Sequence, residues 1–376
     1  MTDPENLVRE LIARPSVNPS LARPGDPHAG EQRVGEFLAA TARKAGLDVE
    51  FQNVLPGRSN LLAVLRPVGV VRQRILLAPH LDTVGVADEA QFTPVKRNGR
   101  LYGRGACDTK GSVAVMLTAL SELAQRRPRP AHTEIIFAGL MDEEYNQAGS
   151  RALAASGFKA DLAIVGEPTR LQIITAHKGD LWLKIETRGR AAHGSRPELG
   201  RNAIHLMARV VAALETDYAR QLRRRRHPLL GRASVNVGTI AGGTAPNIVP
   251  DHCVITVDRR TLPGETDAGV KREIRAFLRG KKLAATLADT KVAPAPPVET
   301  DPQAPLVRQF LRAAQQTRPA GVDFFTDAGV LAAGGIPCVV FGPGDIAQAH
   351  TADEWVAVSQ LTQGRARLLR FLQSLP

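Results

Sequence analysis

Residues able to hold a metal ion or move a proton recur in this chain at one kind of place, just past an apolar run. His80 and Asp82 end RILLAPHLDTV, and Asp108 lies in the glycine-rich GRLYGRGACDTKGS. Glu143 and Glu144 close TEIIFAGLMDEE, Glu167 follows DLAIVG, and His350 ends GPGDIAQAH. Taken singly, each signal is weak. A histidine near a strand is commonly structural, an Asp before KGS can cap a helix, and adjacent Glu residues often make a solvated turn. GRGACDTKG also lacks the spacing of a phosphate-binding P-loop. Jointly they say more. Open α/β sheets bind ligands beyond the carboxyl ends of their strands, so all these sets can converge there. Two imidazoles with three or more carboxylates form a plausible ligand set for a two-metal centre. Zinc suits such mixed ligation, with cobalt and manganese as alternatives. A cation also resolves a puzzle in MDEE, since neighbouring carboxylates repel and are costly to bury without positive charge.

The elements that must position these residues are legible around them. TDPENLVRELIA opens with a helix start, having Thr2 or Asp3 as cap and Pro4 in the first turn. GEQRVGEFLAATARKAG is helix-periodic up to Gly46. Strand-like LDVEFQNV, SNLLAVLR and RILLAPHLDT follow, then a helix in GSVAVMLTALSELAQRR and buried strands in TEIIFAGLM and DLAIVGEP. Apolar strands alternating with helices predict an α/β sheet covered on both faces. Near Lys178 the pattern changes. GDLWLKIETRGR, ASVNVGTIAGG and HCVITVDRRTLPG alternate like strands with one wet face, and ELGRNAIHLMARVVAALE and DAGVKREIRAFLRG read as helices. KKLAATLADTKVAP closes that segment, and the proline-rich APAPPVETDPQAP leads back to IPCVVFGPGDIAQAH and a terminal helix. The chain therefore divides into a discontinuous domain, 1–177 with 291–376, and an inserted α+β domain, 178–290.

Bulk properties narrow the function. At 376 residues, 43% hydrophobic and 23% charged, the chain has the composition of a soluble two-domain protein. No apolar run reaches the ~18–20 residues of a membrane span. MTDPENLVRE is polar and acidic rather than a secretory signal. Cys107, Cys253 and Cys338 are odd in number and scattered, which predicts a reducing, cytoplasmic setting and no disulfide framework. The net charge of +12 raises nucleic acid as a partner, but the densest run, Arg223 to Arg226, lacks interleaved aromatics and reads as a solvated helix end. A basic field that attracts anionic small substrates is the milder reading.

The chain resembles the zinc-dependent deacylase and peptidase family of acetylornithine deacetylase, succinyl-diaminopimelate desuccinylase, aminoacylase and glutamate carboxypeptidase. The matching stretches are HLDTV, GRLYGRGACDTKG, DEE, VGEPT, HKG, GRAAHGSRPELGRNAI, GGTAPNIVP, DRRTLPGE and GPGDIAQAH, in family order. Three of them, GRLYGRGACDTKG, HKG and GPGDIAQAH, look most like the acetylornithine deacetylase branch. The resemblance implies a zinc-peptidase-like catalytic domain with a mostly parallel sheet, and a ferredoxin-like inserted domain that mediates a homodimer. It implies that Asp108 bridges two metals, that His80 and Glu167 complete one, and that Glu144 and His350 complete the other. It further implies that Asp82 orients His80 and that Glu143 is the general base. Two divalent ions held by these residues would lower the pKa of a bound water toward ~7. The hydroxide attacks the acyl carbon, and Glu143 returns the proton to the leaving amine. The resemblance makes His193 of the partner subunit the oxyanion donor. It also implies that Asn247, Arg260, Thr326 and Gly344 line the substrate site, with Arg260 a candidate clamp for an α-carboxylate.

Two places depart from the family pattern. Thr109 stands where many relatives have Met, and Tyr145 and Asn146 stand where a small residue and Gly are common. The expected activity is removal of an acyl group from an N-acyl amino acid, acetylornithine by preference, as a step of amino-acid biosynthesis. A dipeptidase or carboxypeptidase is the competing enzyme. A non-catalytic binding protein on the same fold would lack ligands that are all present here, and no membrane or nucleic-acid partner is expected.

Overall fold

The computed structural model describes residues 3–126, 129–290 and 294–376. They group into two units, each with its own core. One holds the chain up to Thr175, Glu299–Ala320 and Thr326–Pro376; the other holds Ala176–Val298 and Gly321–Phe325.

The first unit is built on a twisted sheet whose strands include β1 (Asp48–Leu55), β2 (Arg58–Leu65), β3 (Gln73–Pro79), β4 (Thr133–Gly139) and β5 (Leu162–Gly166). A later strand, Cys338–Val340, pairs parallel to β5. The order is β1-β2-β4-β3-β5, then Cys338–Val340 and Ile174–His177. β1 and β2 join antiparallel at one edge, while β4, β3, β5 and Cys338–Val340 run parallel. Those parallel strands are continuous apolar runs because both faces are covered: every residue of β4 and β5 is buried. The helix Lys110–Gln125 is apolar on nearly all sides for the same reason, with Val113, Met116, Leu117 and Leu120 fully enclosed. It packs with the helices Pro4–Ile12 and Val358–Gln373.

The helix Pro305–Ala313 and two shorter ones escaped the sequence analysis. Ala148–Ala155 is short, and its Gly149 allows a close approach: a Cβ there would sit 2.5 Å from Met141 O. Asp327–Ala333 begins at Thr326, whose Oγ1 accepts from Ala328 N at 3.0 Å. Both are too short to display a helical period in the sequence.

The second unit has a four-stranded antiparallel sheet. Its strands, β6 (Gly179–Arg188), β7 (Ser234–Gly242), β8 (His252–Thr261) and β9 (Thr286–Asp289), lie in the order β7-β8-β6-β9. With Ala203–Ala213 between β6 and β7 and Asp267–Gly280 between β8 and β9, the chain follows a βαββαβ path. β8 alternates buried and half-buried residues along its whole length, the signature of a sheet with one open face. The arginine run sits just past the short helix Ala219–Leu222, and Arg225 is engaged there, 2.6 Å from both Glu265 and Glu273. Gly321–Phe325, which the sequence assigns to the first domain, groups with this unit. Val322 O accepts from Lys178 N at 3.3 Å, Lys178 Nζ pairs with Asp323 at 2.6 Å, and Gly321 has Leu229 and Leu230 against it.

Candidate metal centre

The parallel strands end together, and the segments that leave them carry the chemistry. His80 follows β3 and is stitched to the end of β4: Leu81 N donates to Leu140 O at 2.7 Å and Leu140 N to Pro79 O at 2.9 Å. Glu143 and Glu144 follow β4, and Glu167 follows β5. Asp108 precedes the helix Lys110–Gln125 and is joined to Thr109 by a cis peptide. His350 lies beyond Cys338–Val340 and holds a left-handed φ of 62°.

These residues meet. His80 Nε2 is 2.9 Å from Asp108 Oδ1 and 3.8 Å from Glu167 Oε1. His350 Nε2 is 3.4 Å from the other Asp108 oxygen and 3.1 Å from Glu144 Oε2. Two three-residue groups result, His80–Asp108–Glu167 and Asp108–Glu144–His350, each with its donor atoms within 4.8 Å of one another. Asp108 is common to both and presents one oxygen to each.

Asp82 stands behind them. Its carboxylate accepts from Glu143 N at 3.0 Å and Glu144 N at 3.1 Å, and Oδ1 lies 3.5 Å from His80 Nδ1. The three acids of the sequence thus part company. Asp142 adopts a φ of 69° and turns to Arg58, whose Nη1 is 3.2 Å away, while its neighbours remain on the other side.

The electrostatics call for cations. Burial, reinforced by Asp327, Glu144 and Asp108, holds Glu143 well above the ordinary carboxylate range against the pull of His80. Glu167 is raised in the same way by burial and by Asp108, Glu143 and Asp327. Burial and the charge of Asp108 push Glu144 up to about 7 despite a hydrogen bond from His350. Burial acts on Asp108 too, but hydrogen bonds from His350 and His80 outweigh it and its pKa falls. Asp108 and Glu144 hold the His350 proton up to about 10. The two histidines face these carboxylates as cations, and a divalent ion at each group would supply that positive charge instead, so the donor set fits a metal pair.

The loops are pinned to one another. Thr169 Oγ1 accepts from Gly342 N at 3.1 Å, and Arg170 N donates to Gly344 O at 2.7 Å, tying the Glu167 loop to the segment before His350. Gly344 has a φ of 93°, and a Cβ there would lie 2.5 Å from Cys107 Sγ. Glu354, which sequence reasoning missed, is the main clasp. Buried, it accepts from Gly105 N at 2.9 Å, Cys107 N at 2.8 Å and Asp108 N at 3.0 Å, and pairs with Arg104 at 2.7 Å. A single carboxylate therefore holds the loop of Asp108 to the segment of His350. Its only sequence signal is its position four residues after that histidine. Thr109 donates from Oγ1 to His80 O at 3.1 Å, a bond that Met at this position could not make. Tyr145 is exposed.

Other sequence candidates lie in the second unit. His193 Nδ1 is 2.7 Å from Ser195 Oγ, and Gly194 N donates to Asn247 O at 2.7 Å, so His193 and Asn247 share one corner. Arg260 is seated on Asp258 through Nε and Nη2, both at 2.9 Å. In the first unit, Thr326 is buried and spends its oxygen as a helix cap.

The chain is similar to known proteins over most of its length. Residues 76–374 match the model of peptidase family M20/M25/M40. Acetylornithine deacetylase of Myxococcus xanthus is 34% identical over 351 residues, covering 89% of this chain and 90% of that protein. Aminopeptidase PepT from Bacillus cereus has a similar structure, with a TM-score of 0.79 at 23% identity, covering 98% of this chain and 97% of its own. Bacillus subtilis YXEP, described as a dinuclear metal-binding peptidase of family M20, gives 0.70 at 16% identity over 98% and 96%.

Two outcomes are expected. Because His350 keeps its proton to about pH 10 and Glu144 to about 7 without metal, a cation must displace those protons. Cobalt affinity measured by calorimetry should rise from about pH 6 to about pH 8 with proton release; an affinity flat with pH contradicts the assignment. Glu354→Gln leaves Arg104 buried without its partner and should cost ~3–5 kcal/mol in urea unfolding. A loss below ~1 kcal/mol, the scale of an exposed pair, would mean that the clasp matters little.

Proposed function

The chain belongs to peptidase family M20/M25/M40 and is a hydrolase of amide bonds; on that footing we propose that it removes the acyl group from an N-acyl amino acid, with N-acetylornithine as the favoured substrate. The observation that carries this reading is Asp108 shared between two ligand groups, with Glu143 adjoining the second. Two divalent cations, zinc by preference, held by His80, Asp108 and Glu167 and by Asp108, Glu144 and His350, would supply Lewis acidity toward the acyl oxygen and the attacking water.

The remaining roles belong to the side chains. Glu143 takes a proton from water as its oxygen attacks the acyl carbon, and returns it to the nitrogen as the C–N bond breaks. A carboxylate and a free amine leave. Burial of Glu143 suits this shuttle, since it favours the protonated form at mid-reaction. Asp82 holds the His80 ring through Nδ1. We assign Arg260 the substrate α-carboxylate through Nη1, because Asp258 already occupies Nε and Nη2. Asn247, Thr326 and Gly344 are assigned to the pocket, and the oxyanion donor to His193 of the partner subunit.

That last assignment requires a homodimer through the second unit. Two features support it: β7 is an edge strand, and Ile240 on it is 58% exposed. The three cysteines, all free and buried, suit the cytoplasm. Among the described residues no helix is long and apolar enough to cross a membrane. Peptide cleavage is the second reading, favoured by the likeness to an aminopeptidase structure.

The deciding experiment offers metal-loaded and chelated enzyme a panel of N-acetyl amino acids, N-succinyl-diaminopimelate and dipeptides. Metal-dependent release of ornithine from its N-acetyl form is expected. Glu143→Ala should keep both metals and lose at least ~10²–10⁴-fold in kcat. Turnover of dipeptides alone would replace the deacetylase with a peptidase, and metal loss in the variant would make Glu143 a ligand. Light scattering at working concentration should give a dimer mass; a monomer removes the role of the partner's His193.

A further inference from the structure

Asn18 lies in the loop after the first helix, remote in sequence from every residue assigned so far, yet fully buried against them. Its Nδ2 donates to Asp82 Oδ2 at 2.7 Å and to Asp142 Oδ1 at 3.0 Å. Its Oδ1 accepts from Ser20 N at 2.9 Å, and its backbone N–H donates to Thr83 O at 2.8 Å. The loop is laced to the segment after β3 on both sides, since Thr83 N donates back to Ser16 O at 3.0 Å.

The two carboxylates that Asn18 joins do different work. Asp82 carries the backbone N–H groups of Glu143 and Glu144 and faces the His80 ring. Asp142 is the residue before Glu143 and is anchored from outside by Arg58, which also holds Glu31. Asp82 and Asp142 are both buried carboxyl groups, and they share one neutral donor. A primary amide suits this place well: it has two N–H groups, one for each acid, and an oxygen left for the turn at Ser20.

We propose that Asn18 is a positioning residue for the metal centre. Acting through Asp82 and Asp142, it sets the backbone of Glu143 and Glu144 and the ring of His80 in the arrangement that a metal pair requires. It touches neither a ligand oxygen nor substrate. The assignment rests on the two-metal reading above.

The alternative is a local role in the turn alone, and Asn18→Asp separates the two. Aspartate keeps the size and the oxygen that Ser20 N needs, but removes the donors and adds a third carboxylate beside Asp82 and Asp142. Cobalt affinity by calorimetry is the primary readout, with kcat and KM on N-acetylornithine beside it. Wild type is measured first. If it takes up no cobalt, the metal reading fails, and the Asn18 assignment with it. If it binds cobalt, Asn18→Asp should bind ~10–100-fold more weakly, with kcat falling and KM nearly unchanged. Wild-type affinity and kcat in that variant would overturn the Asn18 assignment alone. Should circular dichroism show that Asn18→Asp does not fold, Asn18→Ala replaces it, because it removes the donors without adding charge. The same loss of affinity then supports the role, and undiminished binding overturns it.

Discussion

Crowded buried carboxylates are the constraint around which the first unit is organised. Asp82, Asp108, Glu143, Glu167 and Asp327 are all buried near one another's charge. Two like charges 4 Å apart repel by ~4 kcal/mol at an effective dielectric constant of 20, so such a group persists only if opposite charge and hydrogen-bond donors are built in around it. The fold provides backbone amides to Asp82 and Glu354, imidazoles to Asp108, and Arg58 and Arg104 behind. The centre is left for cations. Parallel strands serve this purpose because they bring several chain segments to one edge of a sheet, each leaving it with a freely shaped loop.

Those loops do not stand alone. Glu354 ties the Asp108 loop to the His350 segment, Thr169 and Arg170 tie the Glu167 loop to the same segment, and Leu81 ties His80 to the end of β4. A site held in this way owes its geometry to bonds among connecting segments as much as to the strands. Such restraint suits metal ligands, whose outer partners orient the rings and carboxylates that touch the ion.

Much of this was legible in the sequence. The apolar stretches RILLAPHLDT, TEIIFAGLM and DLAIVGEP marked strands of a sheet covered on both faces, and alternation in GDLWLKIETRGR and HCVITVDRRTLPG marked strands with one wet face. The residues that end those runs were visible as candidates because histidines and acids stand out against apolar strands. The partners that hold them were not. Asn18 and Glu354 are ordinary polar residues, far in sequence from what they bind, and no periodicity announces a buried amide or a capping carboxylate. Asp142 was equally opaque: three acids in a row gave no sign that the first would turn away, because that depends on a left-handed φ and on Arg58, 84 residues earlier. Helices of seven or eight residues, such as 327–333 and 148–155, hide because about two turns are too few to show a repeating apolar face.

The span of chain between His80 and His350 has a consequence for synthesis. The segment carrying Glu354 and His350 emerges from the ribosome long after the strands it must complete. Until it arrives, the acids at the ends of β3, β4 and β5 have neither His350 nor the Glu354 clasp on the Asp108 loop. A translating chain stalled short of that segment would therefore display an unbalanced acidic edge, a state open to premature capture of cations, and the arrival of residues 350–354 decides when that exposure ends.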